Sequence, residues 1–182
     1  MKQIVTVLFT MVAIVLLVVL FIYSGMYNVA ATSQHTALGN WILNTAKERS
    51  IRTHAYSNDE ISASPDLSGG QDSYTALCVM CHGSPTSSPW EPTTGLLPVP
   101  PDLREEGEEW SLGELVWTIE QGIKMTGMPA FGPSHDKSEI IAVATFVDSM
   151  ATFSIEKSKR FIESLESTPE DTTSSGHTHD HG

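Results

Sequence analysis

Two cysteines and a histidine form the stretch of this sequence best suited to chemistry. Cys78 and Cys81 are the only two cysteines, and His82 follows directly in the run Cys78-Val79-Met80-Cys81-His82. Two thiols at this spacing can each add to one vinyl group of a haem, and the adjacent imidazole can then bind the iron as proximal ligand. The spacing therefore predicts one covalently attached haem c.

Paired cysteines also occur in other kinds of site. A tetrahedral zinc site needs four ligands, so this pair would have to recruit distant histidines such as His35, His54 or His135. A thiol-disulfide pair is typical of a βαβ context, which this sequence does not indicate. A thiol-disulfide or metal-handling protein is therefore the remote alternative.

A methionine in a later loop is the candidate distal ligand of the iron. Met128 lies in Thr126-Gly127-Met128-Pro129-Ala130-Phe131-Gly132, where glycine and proline prevent a helix from continuing. Such a loop can present a thioether sulfur to iron. Met125 is the main competitor, whereas Met80 lies inside the attachment motif and Met150 in a predicted helix.

From about Gly69 to Met150 the chain resembles a class I cytochrome c domain of the bacterial, membrane-anchored, single-haem kind. The matching features are Gly70, Tyr74 and Cys78 at four-residue spacing, the motif from Cys78 to His82, Pro101-Asp102-Leu103, the run Met128-Pro129-Ala130-Phe131, and a last helix that carries Phe146. The resemblance implies an all-α domain wrapped around one haem, with His82 and Met128 as the two iron ligands.

The resemblance implies further roles within the site. The Pro101 carbonyl would orient the His82 ring through its free N–H, and Leu103 would line the haem pocket. The insert at residues 84–99 departs from compact members of the family, so the resemblance does not define the chain path along that edge of the haem. This insert could cover one side of the haem or contact a partner.

Hydrophobic periodicity and capping signals predict the helices that position these residues. We expect a juxtamembrane helix over about 37–55 and a helix from about Gly69 to His82. A third helix should begin at a capping box at Ser111, and a fourth should begin at Ser134 or Asp136. The resemblance implies that Gly70 lets its helix cross closely over the last one near Val143 and Phe146.

Residues 4–23 form an uncharged, almost wholly apolar stretch. About 20 such residues cross the roughly 30 Å hydrocarbon core of a bilayer as a helix. A cleaved signal peptide is the rival, with Val29-Ala30-Ala31 as the cleavage site, but the apolar run is longer than the usual signal core. We predict a retained single-pass anchor in the cytoplasmic membrane. The haem domain then lies on the periplasmic side, where haem is attached.

The chain thus divides into five predicted parts. They are an anchor (1–25), a juxtamembrane helix and linker (26–68), the cytochrome c domain (69–152), a short C-terminal helix (153–166) and a disordered tail (167–182) that contains histidines. The alternating histidines of the tail could bind a metal ion.

The composition bears on the partners. A net charge of −12 argues against nucleic acid, whose phosphates would repel the chain. With both axial positions of the iron filled, we expect no catalytic residue and no small-molecule substrate. The predicted function is one-electron transfer between redox proteins in a membrane electron-transport chain. The alternative is a fixed haem c subunit of a larger membrane complex, such as an oxidase, a nitric oxide reductase or a dehydrogenase.

Overall fold

The computed structural model describes residues 1–61, 67–84, 87–103 and 109–150. Its helices are α1 (Lys2–Tyr23), α2 (Ala37–His54), α3 (Leu67–Leu77), α4 (Val79–His82), a 3₁₀ helix (Glu91–Gly95), α5 (Leu112–Gln121) and α6 (Lys137–Met150). These ranges contain no strand, only an isolated bridge between Ser84 and Ser87. The predicted all-α class is confirmed.

The chain forms two compact units, and the first covers Met1–Trp41. Its main element is α1, which has no buried residue and whose most apolar window has a mean hydropathy of 3.2. Among the described residues, α1 is the one helix long and apolar enough to cross a membrane, and it fits an anchor by length and composition. Near the end of the unit, the Thr36 side chain caps α2 by accepting a hydrogen bond from Gly39 N at 3.1 Å.

The second unit, Ile42–Gly182, is built on the crossing of α3 and α6. Gly70 lies at this crossing, where a Cβ would stand 2.2 Å from the carbonyl oxygen of Ala142. One turn further along α3, the Tyr74 ring contacts Phe146 with ring centroids 5.3 Å apart. The close helix crossing that the resemblance implies is therefore present, with Ala142 and Phe146 opposite Gly70.

The helix α5 packs on α6 and completes the core. Its capping box is present, because Ser111 Oγ accepts from Glu114 N and the Glu114 side chain accepts from Ser111 N. The helix ends at Gly122, where φ is +65°. The buried apolar cluster consists of Ile61, Tyr74, Leu115, Val116, Ile119, Ile140, Ile141, Val143, Ala144, Phe146, Val147 and Met150.

Several expectations concern residues that the structure describes only in part or not at all. The short helix at 153–166, the tail at 167–182 and the end of the predicted haem domain at 151–152 lie outside the described residues. The predicted start of that domain at Gly69 falls inside α3, which begins at Leu67, and Ile61 already belongs to the buried cluster. The five-part division stays a prediction.

Candidate functional site

The two cysteines and His82 lie on a single helical turn. Cys78 interrupts the helix between α3 and α4, and its carbonyl oxygen accepts hydrogen bonds from Cys81 N at 3.0 Å and His82 N at 2.9 Å. The buried Tyr74 hydroxyl donates to the carbonyl oxygen of Gly83 at 2.7 Å, directly after the motif. The core of the domain therefore holds both ends of the motif.

The imidazole of His82 is oriented by a backbone carbonyl. Its Nδ1 lies 2.9 Å from the carbonyl oxygen of Pro101. Because a carbonyl oxygen only accepts, Nδ1 carries a proton, and in the neutral ring the free lone pair is therefore on Nε2. Burial lowers the pKa of His82, although the hydrogen bond to Pro101 and the charge of Asp102 oppose the shift. The ring is thus neutral and has the tautomer that a metal ion binds through Nε2.

Both thiols are free and half-buried. Burial, and then the neighbouring Cys81, raise the pKa of Cys78 to about 12, so this thiol stays protonated at neutral pH. An apolar cleft adjoins it, lined by Leu77, Ile119, Phe131, Ile140 and Val143, with His135 and Glu139 as its polar members. The cleft offers the Cys78 thiol an apolar surface for a hydrophobic group.

Met128 differs in its environment from the other candidate methionines. It is half-buried and packs against the buried cluster, and its amide donates to Thr126 Oγ1 at 3.1 Å. Met125 is 93% exposed and has a positive φ of 62°. Met80 is also exposed, whereas Met150 is buried in the core. Of these methionines, Met128 is the one that packs against the buried cluster without being part of it.

Leu103 and the insert supply further apolar contacts. Leu103 is half-buried and packs against the same cluster as Cys78 and Met128. In the insert, Leu96 lies close to the loop that carries Met128, since a Cβ on Gly127 would stand 2.8 Å from Leu96 Cδ1. Trp90 is 59% exposed, and its backbone N–H donates a hydrogen bond to Met80 O in the attachment motif, at 3.0 Å. The insert therefore packs against residues next to both predicted ligands.

The three other histidines within the described ranges each contact a residue other than the cysteines. His35 contacts the Tyr27 hydroxyl, His54 stacks on Trp117, and His135 contacts Phe131 O. Within the described ranges, no three His, Cys, Asp or Glu side chains converge on a point that could hold a metal ion. The zinc alternative therefore has no ligand set in that part of the chain.

The donor set fits a c-type haem. Two free thiols, a neutral imidazole with Nε2 available and a half-buried thioether are the groups that such a haem uses, and apolar side chains surround them. Helices that cross at a glycine, with the attachment motif directly after the first, define a class I c-type cytochrome domain.

Comparison with known families supports this class. Residues 65–147 match the family described as cytochrome c oxidase, cbb3-type, subunit III. The chain carries a class I c-type cytochrome domain, and this family implies covalently bound haem c. Searches of curated proteins and of solved structures give no match.

The sequence did not predict one polar cluster, which lies near the loop that carries Met128. Tyr56, Glu120 and Lys137 meet although long stretches of chain separate them. No motif spacing could have indicated this contact, because each residue type is common at the surface of helical proteins.

Proposed function

We propose that this protein is a membrane-tethered, single-haem cytochrome c that transfers one electron at a time between redox proteins. The hydrogen bond from His82 to the Pro101 carbonyl is the observation that carries the proposal. It fixes the orientation of the ring directly beside two free thiols, and a thiol-disulfide protein has no need of that arrangement.

In this proposal each site residue has one task. Cys78 and Cys81 would form the thioether links, His82 Nε2 and Met128 Sδ would bind the iron, Pro101 would orient His82, and Leu103 would line the pocket. The exposure of Met125, at 93%, favours Met128 as the thioether ligand. When bound, the haem supplies a one-electron couple at its iron.

The protein side chains set the properties of that couple. A thioether ligand and an apolar pocket both favour the reduced state, which raises the reduction potential. With both His82 and Met128 bound to the iron, the site would offer no position for a substrate. Electron transfer then needs only a partner that brings its redox centre close, and the net charge of −12 favours a partner with a basic surface.

The first unit would supply the membrane anchor. The helix α1 spans 22 residues, about the length that a bilayer requires. Because c-type haem is attached outside the cytoplasmic membrane, the haem domain would face the periplasmic side. Such a tether confines the domain to a layer near the membrane and raises its encounter rate with membrane partners.

The family description favours a second candidate, a fixed haem c subunit of a terminal oxidase. The proteins of that family are described as subunits of a cbb3-type cytochrome c oxidase, and this chain could assemble with a similar complex. Mild detergent extraction separates the two candidates. A tethered carrier leaves the membrane as a single chain, whereas a subunit co-purifies with its complex at fixed stoichiometry.

A visible spectrum of the oxidised and reduced protein, with a pyridine haemochrome assay, tests the proposal. We expect one haem c per chain and the weak band that thioether ligation gives to ferric iron. Met128→Ala should abolish that band and open the iron to carbon monoxide, whereas Met125→Ala should leave both unchanged. A colourless protein after expression with a working maturation system would refute the cytochrome function and leave the thiol-pair alternative.

A further inference from the structure

A polar cluster joins three separate parts of the second unit. We call it the Glu120 cluster, and it consists of Tyr56, Glu120 and Lys137. The Tyr56 hydroxyl donates to Glu120 Oε2, and Lys137 Nζ donates to the same oxygen at 2.8 Å. Lys137 Nζ also lies 3.2 Å from the centroid of the Tyr56 ring, a cation–π contact. Each member therefore contacts both of the others.

This cluster lies at the base of the methionine loop, which we define as residues 122–136. Glu120 is in the last turn of α5, and Lys137 is the first residue of α6. The ion pair thus connects the two ends of the loop that carries Met128. Two backbone hydrogen bonds reinforce the connection, from Phe131 N to Ile119 O at 3.2 Å and from Gly132 N to Glu120 O at 2.9 Å.

Tyr56 reaches the cluster from a segment before the haem domain, residues 51–61, which we call the N-terminal arm. Its backbone packs directly on α5, since a Cβ on Gly113 would stand 2.0 Å from the carbonyl oxygen of Tyr56. Ile51 and Ile61, at the two ends of the arm, are 2% and 6% exposed. The arm lies wholly outside the family match, which begins at residue 65.

The strength of the cluster follows from its partial burial. The Glu120 side chain is 18% exposed, so its ion pair is less screened than a surface pair. Two donors share one carboxylate oxygen, and hydrogen bonds to charged groups are stronger than neutral ones. The loop contains three glycines and two prolines, namely Gly122, Gly127, Pro129, Gly132 and Pro133, so few of its amides can join regular structure.

We propose that Tyr56, Glu120 and Lys137 are positioning residues that fix the methionine loop, so that the N-terminal arm controls how firmly Met128 is held as an iron ligand. The inference rests on the proposed function for the ligand role of Met128. It assigns to the arm, a segment that lies outside the family match, an effect on the redox site that acts through the loop.

The test compares Tyr56→Phe, Glu120→Gln and Lys137→Met with a matched control, Arg52→Gln. Arg52 also links the arm region to α5, through an ion pair with Glu114 at 3.8 Å, but at the opposite end of that helix from the loop. Tyr56→Phe is the mildest change, since it keeps the ring over Lys137 and removes only the hydroxyl. Lys137→Arg keeps the charge and should behave like the wild type.

Two readouts are measured on the full-length protein with haem attached. Amide hydrogen exchange at Phe131 and Gly132 in the reduced protein reports loop opening, and we expect it to accelerate roughly tenfold or more in the cluster variants. The thioether band of the oxidised protein should weaken and the midpoint potential should fall in the same variants. Arg52→Gln should change neither readout.

Each other result overturns the inference in a distinguishable way. If the cluster variants match Arg52→Gln in both readouts, the cluster does not position the loop, and the proposed function stands. If exchange accelerates but the band and potential stay at wild-type values, the cluster stabilises the loop without affecting iron ligation, and the inference is wrong. A wild-type protein that lacks haem or the thioether band refutes the proposed ligation and this inference together.

Discussion

At the scale of single residues, Gly70 shows how one small side chain decides the fold around the site. A Cβ at this position would stand 2.2 Å from the oxygen and 2.7 Å from the carbon of the Ala142 carbonyl. Because both atoms belong to the backbone of α6, no side-chain rotation can relieve the clash. The two helices could only move apart, and the attachment motif at the end of α3 would move with them.

We therefore expect Gly70→Ala to destabilise the domain by about 1–3 kcal/mol, the usual cost of overpacking. Thermal unfolding followed by circular dichroism measures the effect. Gly95→Ala is the matched control, since a Cβ there meets no atom within 4 Å. Equal midpoints for the two variants would show that the helices do not cross this closely in solution.

At the scale of elements, α5 connects the arm, the core and the methionine loop. Its first turn is fixed by the capping box of Ser111 and Glu114, and its last turn ends at Gly122, whose φ is +65°. Between these ends it contributes Leu115, Val116 and Ile119 to the buried cluster. The start of the methionine loop is therefore only as well defined as this helix.

Removal of the cap should weaken the helix measurably. Ser111→Ala loses the acceptor for Glu114 N and should destabilise the domain by about 1 kcal/mol. Chemical denaturation gives the change in unfolding free energy. Ser138→Ala, at an exposed position of α6, should cost less. A larger loss for Ser138→Ala would mean that the capping box is not formed.

The Glu120 cluster joins the arm, α5 and α6, and it predicts that stability depends on pH. Burial alone would raise the pKa of Glu120, but hydrogen bonds from Lys137 and Tyr56, with the charge of Lys137, hold it below its ordinary value. A carboxyl whose pKa is lower in the folded state stabilises the fold above its unfolded pKa, and this contribution is lost as pH falls through the folded pKa.

The difference in stability between the wild type and Glu120→Gln should consequently shrink as the pH is lowered from about 7 to about 3. Thermal unfolding of both proteins across this range measures it, and the comparison cancels the titration of carboxyl groups that the two proteins share. A difference that stays constant would show that the carboxylate is not paired in the folded state.

At the scale of the whole molecule, an apolar helix and an acidic chain are combined in one protein. Nearly every large apolar side chain of α1 is exposed, a state that water disfavours and a bilayer accepts. The rest of the chain carries most of the charge, and the net charge is −12. The two parts therefore suit different solvents.

We expect the mature protein to keep residues 1–25 and to sediment with membranes until detergent is added. Intact-mass spectrometry of the purified holoprotein checks this directly. Leu16→Arg provides a matched variant, because a charge at the centre of a spanning helix costs about 2.5–3.5 kcal/mol and should reduce membrane association. A mature chain that begins after Ala31 would identify α1 as a cleaved signal.

Local sequence determined much of this protein. The spacing of Cys78, Cys81 and His82 predicts haem attachment because both thiols and the imidazole must act within one helical turn. The capping box at Ser111 and the end of α5 at Gly122 also follow from residue type, since caps depend on side chains within a few positions. The all-α class and the apolar helix at the N-terminus needed no tertiary information.

Only the tertiary structure decided which distant residues meet. The burial of Ile51 and Ile61, and the contacts of Tyr56 between them, were not predicted, because the stretch from Ser57 is rich in residues typical of a linker. The contrast between a half-buried Met128 and an exposed Met125 likewise depends on how the loop packs, although both occur in one short segment. The Glu120 cluster likewise depends on tertiary packing. Its contacts join residues far apart in the chain, and such pairings are fixed by the packing of helices rather than by any local preference of the backbone.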